Sequence, residues 1–208
     1  MHNVELEYNK LIATACPPSD ISEHLPTLKA YAEDCEHVTE MGVRTVVSSY
    51  AFAVAKPKTY IAIDFVHPSA YGMEVGNKLN DISDYCFKNN INYRFIVGDT
   101  TKITIEPTDL LFIDTLHCYG QLTKELKLHA DKVKKYLIFH DTDKLTYGFT
   151  DDYTVSNPNI PPDASLYVEG KVGLVAAIND FLKEHSEWQM HKIYSNCCGL
   201  TILKRVNS

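Results

Sequence analysis

Four residues carry the groups that metal binding and proton transfer need. Asp114 and His117 lie three apart, and His140 and Asp141 are adjacent some two dozen residues later. Carboxylates bind divalent cations through oxygen, and imidazole either ligates a metal or moves a proton near neutral pH. Each pair follows a short apolar run. Asp109-Leu110-Leu111-Phe112-Ile113 leads into Asp114, and Tyr136-Leu137-Ile138-Phe139 leads into His140-Asp141. Runs this dense read as strands buried on both faces, the habit of a parallel sheet. The acids then sit at the carboxyl ends of strands, the edge where open α/β sheets bind ligands. If the two strands are neighbours, all four side chains meet at one mouth.

Three earlier acids repeat the pattern. His37 to Gly42 reads as a strand ending in Glu40, Thr59 to Asp64 as a second, and Asn92 to Val97, followed by Gly98-Asp99, as a third. An acid after the second strand suits ribose hydroxyls, a glycine after the first lets a ligand approach the backbone, and an acid after the third suits an adenine amino group. Any one of them is equally an ordinary helix cap. Four acids after four successive strands favour an adenosine-type ligand.

The elements between them alternate with the strands. Helical spacing predicts helices at Thr45–Ala55, Glu74–Asn90, Tyr119–Lys134 and Val172–Glu184. Trp188–Tyr194 and Gly199–Leu203 read as an antiparallel pair about a tight turn. Trp188 is expected in the core, and His129 on the outer face of its helix. Helices at Glu5–Thr14 and from Ser19 to Cys35, with Pro26 in the first turn of the second, form a lid or buttress over residues 1–36. Residues 37–208 then form one α/β unit, a doubly wound, mostly parallel Rossmann-like sheet with a C-terminal antiparallel hairpin. Residues 142–170 are too long for a simple connection. Their Tyr147, Phe149 and Tyr153 are candidates to cover a substrate.

These residues resemble the class I S-adenosylmethionine-dependent methyltransferases over about residues 19–205. Glu40-Met41-Gly42 looks like the start of that family's glycine-rich motif, Asp64 like its ribose acid and Asp99 like its adenine-side acid. Phe112-Ile113-Asp114-x-x-His117-x-Tyr119 and Phe139-His140-Asp141-Thr142 are similar to the metal-dependent small-molecule O-methyltransferases, including macrolide-sugar enzymes and cephalosporin-hydroxylase-like proteins. The resemblance implies magnesium on Asp114 and Asp141, a general base at His117, and cofactor contacts from Glu40, Gly42, Ser48, Asp64, Asp99 and Asp114. His140 is a further candidate ligand whose imidazole would tilt the site toward Mn, Fe or Zn. Alternatively its side chain turns away from Asp141. The family motif continues with more glycines, whereas Val43 to Tyr50 has none and offers Ser48 and Ser49. Two alternatives follow: a methyltransferase-like binding or regulatory protein with weakened cofactor affinity, or a metal-dependent enzyme of another reaction type.

Composition narrows the partners. Lys plus Arg is 20 against 27 Asp plus Glu, a net charge of −7. That disfavours nucleic acid and anionic membranes. No apolar run approaches the roughly 20 residues a membrane helix needs, and the polar first ten residues do not read as a signal peptide. The six cysteines form no CxxC, which suggests reduced thiols in a cytoplasmic setting. A small-molecule acceptor is expected, and a homo-oligomer is left open.

Overall fold

The structure, a computed structural model, describes residues 3–13, 19–151, 164–166 and 168–206. Seven strands form one sheet: β1 (His37–Met41), β2 (Thr59–Asp64), β3 (Asn92–Val97), β4 (Thr108–Ile113), β5 (Val133–His140), β6 (Trp188–Tyr194) and β7 (Leu200–Arg205). Their order is β3-β2-β1-β4-β5-β7-β6. The first five are mutually parallel, and β7 runs antiparallel to both β5 and β6. The order reverses direction between β1 and β4, the switch point at which such sheets open a crevice.

Side-chain alternation sorts the strand residues onto two cores. Val38, Tyr60, Ala62, Leu110, Phe112 and Ile138 face one core, and Met41, Ile63, Leu111, Ile113, Leu137 and Phe139 the other. The first core is closed by α1 (Val4–Ala13), α2 (Leu25–Glu33), α3 (Val47–Val54) and α4 (Met73–Lys88). The second is closed by α5 (Tyr119–His129) and α6 (Leu174–Glu184). All six residues of β4 are buried, the apolar run Leu110–Ile113 together with Thr108 and Asp109, whereas those of β3 at the sheet edge are exposed or half-buried. Residues of α1 and α2 join the sheet's own core through Val4, Tyr8, Leu25, Leu28 and Ala32. Trp188 is buried in the second core.

Several helix boundaries differ from their sequence expectations: the helix expected from Ser19 to Cys35 runs Leu25–Glu33 after a 3₁₀ turn at Ser22–His24, and α5 ends early. The helix expected to Lys134 ends at His129, a 3₁₀ turn spans Ala130–Lys132, and β5 already starts at Val133. Val133 pairs with Thr108 of β4, so sheet pairing overrides the helical run. The α5 amino terminus is capped from outside its own turn: Asp151 Oδ1 accepts from Tyr119 N at 2.8 Å and Gly173 N at 2.7 Å. This carboxylate ties the chain after β5 to both helices of the second core. Tyr153 lies outside the described residues.

Candidate active site at the carboxyl edge of the sheet

The ends of β4 and β5 bring Asp114, His117, His140 and Asp141 together. His117 Nε2 is 3.2 Å from Asp114 Oδ1 and 3.1 Å from Asp141 Oδ2. His140 Nδ1 is 3.5 Å from Asp114 Oδ1 and 3.1 Å from Asp141 Oδ2. Ligand atoms of Asp114, His140 and Asp141 fall within 4.8 Å of one another, a grouping able to hold a metal ion. His140 thus faces Asp141 rather than turning away. The register explains the convergence: β4 and β5 pair with Ile113 opposite Phe139, so both chains leave the sheet at the same level. Asp114 N donates to Met41 O at 2.8 Å, fixing the first step past β4. Asp141 adopts a left-handed backbone, φ 57°, which an aspartate tolerates better than most residues.

His140 is held from behind. Its Nε2 lies 3.2 Å from Asp20 O and 3.1 Å from Cys197 O. Carbonyls only accept, so Nε2 carries the hydrogen. Among the described residues Nδ1 has no assigned hydrogen-bond partner; it faces the two carboxylates, with the side chain only 1% exposed. Lone pairs opposed at this distance require a proton or a cation between them. The protein alone answers with charge. Burial disfavours an imidazolium, but Asp114 and Asp141 outweigh it and push His140 up to about 12. Burial likewise opposes charge on His117, yet the same carboxylates raise it. Asp114, despite its burial, is held well below the usual carboxylate range by His140 and His117. The Cys197 carbonyl also faces Nε2 of buried His24, at 3.2 Å. It belongs to a turn in which Cys197, Cys198 and Gly199 all have positive φ. Tyr147 stacks on His117 with centroids 4.7 Å apart and planes 11° apart, while Phe149 is 57% exposed.

The acids at β1 and β2 are placed differently. Glu40 is fully buried and accepts from the hydroxyls of Ser48, Ser49 and Tyr60. Burial pushes it up to about 7 despite those donors. Ser48 and Ser49 therefore serve the chain's own carboxylate. Asp64 Oδ2 accepts from Val43 N and Arg44 N, each at 2.8 Å, and Oδ1 from Val66 N at 3.0 Å. Gly42 is needed for its neighbour: a Cβ there would lie 1.8 Å from Asp114 O. Gly42, Arg44 and Val46 have φ of 88°, 43° and 69°. For an L-residue, and above all a β-branched one, this conformation is strained. The Asp64 bonds and the complete burial of Val46 hold it. Asp99 accepts from Thr101 N and Oγ1 and pairs with Lys102 at 2.7 Å. Burial opposes its ionisation, but Lys102 and Thr101 lower it.

Sequence reasoning missed Glu125. It is fully buried, accepts from Thr115 Oγ1 at 2.8 and 2.9 Å, from Gln121 Nε2 at 2.8 Å and from the Thr100 hydroxyl, and is pushed up to about 7 by burial. With Thr115, His117, Phe139, His140 and Leu174 it lines a small cleft. His129, expected at the surface, is 0% exposed, with Nε2 2.7 Å from Thr100 O. The signal was present: Leu122, Glu125, Leu126 and His129 recur at i, i+3, i+4 and i+7, the spacing of an inward stripe. Polarity had masked it.

No protein-family model matches the chain, and no curated protein matches it. Solved structures do. The O-methyltransferase TomG from Streptomyces achromogenes, involved in tomaymycin synthesis and solved with S-adenosylmethionine, has a TM-score of 0.58 at 12% identity, covering 100% of this chain and 91% of that one. An O-methyltransferase from Bacillus cereus in complex with S-adenosylhomocysteine has a TM-score of 0.56 at 11% identity, covering 98% and 89%. A ribosomal protein L11 methylase from Lactobacillus delbrueckii subsp. bulgaricus has a TM-score of 0.54 at 11% identity, covering 88% and 79%. The sheet order with its reversed C-terminal hairpin is the class I methyltransferase fold. One is named for tomaymycin synthesis and another for ribosomal protein L11, so the fold leaves the acceptor open.

Proposed function

We propose that the chain is an S-adenosylmethionine-dependent O-methyltransferase acting on a hydroxyl of a small acceptor, a sugar among the suitable classes, assisted by a divalent metal. The observation that carries this reading is the convergence of Asp114, Asp141 and His140 at the switch-point edge of a methyltransferase fold. When bound, the cofactor supplies an electrophilic methyl sulfonium and the metal lowers the pKa of the acceptor hydroxyl. The chain's own part is alignment. Asp114 and Asp141 offer carboxylate oxygens, and Tyr147 holds the His117 ring in plane.

The adenosyl half of the cofactor is better matched than the methionyl half. Phe65, next to Asp64, and Val97, at the end of β3, are 55% and 57% exposed and offer apolar surface to a base. A carboxylate has about four lone-pair positions; Asp64 uses three on backbone N–H groups. At the methionyl end, Glu40 and Ser48 satisfy each other and Gly42 abuts Asp114. This closed turn favours, as a second reading, a methyltransferase-like protein with weakened cofactor affinity.

Calorimetric titration with S-adenosylmethionine, S-adenosylhomocysteine and adenosine separates the two. Saturable binding of the first two, tighter than adenosine, is expected of the transferase. Binding of neither removes that reading, and equal affinity for all three supports the weakened form.

A further inference from the structure

We infer that His117 and His140 are both metal ligands, so that this edge holds a divalent transition ion in a two-imidazole, two-carboxylate set rather than magnesium. The inference rests on the metal-assisted reading above and deepens it.

The donor geometry comes first. Each imidazole nitrogen contacts both carboxylates, at 3.2 and 3.1 Å for His117 Nε2 and at 3.5 and 3.1 Å for His140 Nδ1. Nitrogen and oxygen donors sit about 2.0–2.2 Å from a zinc-like ion, so tetrahedral neighbours lie roughly 3.4 Å apart. The four nitrogen–oxygen separations lie near that value; the Asp114, His140 and Asp141 donors fall within 4.8 Å of one another, and His117 joins them through its contacts to both carboxylates.

His140 gives the independent pointer. Its Nδ1 is buried, has no assigned hydrogen-bond partner among the described residues and aims at the two carboxylates. Its other nitrogen is fixed as a donor by the Asp20 and Cys197 carbonyls. Metal-bound histidines are oriented in this way, with the distal N–H on a backbone carbonyl or carboxylate. Tyr147, flat against His117, fixes the second ring.

The donor type then selects the ion. Magnesium takes oxygen ligands and keeps most of its water, whereas imidazole suits zinc, iron, cobalt and their neighbours. The same geometry changes the part played by His117. A free general base needs an open nitrogen facing the acceptor; Nε2 here is directed into the carboxylate pair.

The test uses the full chain, stripped by a chelator and titrated calorimetrically with Zn²⁺, Co²⁺ and Mg²⁺ separately. Zn²⁺ and Co²⁺ are expected to bind at least about 100-fold more tightly than Mg²⁺. The Co²⁺ form is expected to show paramagnetically shifted imidazole protons from two histidines. His117→Ala and His140→Ala each remove one set and weaken Zn²⁺ by roughly 10–100-fold or more. His185→Ala dismantles the Asp131–His185–Glu187 group, the other such set among the described residues, and leaves the affinity unchanged. Circular dichroism checks that each variant is folded, and His117→Gln replaces His117→Ala if the latter is not. Mg²⁺ binding as tightly as Zn²⁺, unchanged Zn²⁺ affinity in folded His117 and His140 variants, or loss of the site in His185→Ala overturns the inference. Cofactor binding combined with Mg²⁺ preference overturns this inference alone. Zn²⁺ held by both imidazoles with no cofactor binding keeps it and removes the transferase reading.

Discussion

The two halves of the sheet's carboxyl edge carry the same kind of residue and use it in opposite ways. At β1 and β2, Glu40 and Asp64 are surrounded by donors from their own chain: three hydroxyls for Glu40 and three backbone N–H groups for Asp64. At β4 and β5, Asp114 and Asp141 face ring nitrogens, and among the described residues the buried His140 Nδ1 faces only their carboxylate oxygens. A strand-end acid whose lone pairs are filled by hydrogens holds a turn. One whose neighbours are themselves acceptors asks for a proton or a cation. Glu125 belongs to the first kind although it lies beside the second, since Thr100, Thr115 and Gln121 satisfy it.

The largest effect that sharpens this contrast is on activity. Asp114→Asn removes a carboxylate from the open half. Metal assistance is worth several kcal/mol, so methyl transfer is expected to fall roughly 10²–10³-fold in kcat/KM. Full activity in an acceptor assay would break the metal reading.

The next concerns pH. Burial pushes Glu125 up from about 4.5 to about 7 in the folded chain, so the folded chain keeps the proton to higher pH. Its contribution to stability is therefore full below about pH 4.5 and falls as pH rises to about 7, by up to about 3 kcal/mol. Glu125→Gln is expected to flatten that decline in urea unfolding between pH 5 and 8, and an unchanged slope would show that the carboxylate is not the cause. Glu40, pushed up to about 7 as well, has the same sign.

Gly42→Ala tests how tightly the two halves abut. Its new Cβ meets the Asp114 carbonyl at a backbone φ of 88°. A loss of about 2–3 kcal/mol is expected in chemical denaturation, with weaker metal binding because Asp114 must shift. Normal metal affinity would uncouple the halves. The smallest effect is at the closed half: Asp64→Asn replaces one accepting oxygen by an amide. It is expected to lower stability by about 1–2 kcal/mol and to leave metal affinity unchanged; metal loss here would contradict the division.

Much of this was legible in residue order. Dense apolar runs ending in acids mark strands whose ends lie at one edge, and the helical stripes of α4 and α6 place Leu79, Ile82, Leu174 and Ile178 in the cores. These are local patterns, set by geometry that repeats every two or 3.6 residues. Glu125 and His129 lay on such a stripe too, but burial of a polar residue depends on partners elsewhere in the chain, such as Thr100 and Thr115.

The sequence by itself determined the alternation of strands and helices, the acids at the strand ends and the antiparallel close. Only the tertiary structure decided which acids are already satisfied. That depends on the β1–β4 and β4–β5 register, on the left-handed turn at Gly42 to Val46, and on carbonyls of residues 20 and 197 reaching His140 from far along the chain. A hydrogen bond is made or missed within a few tenths of an ångström, and contacts between distant segments set that scale.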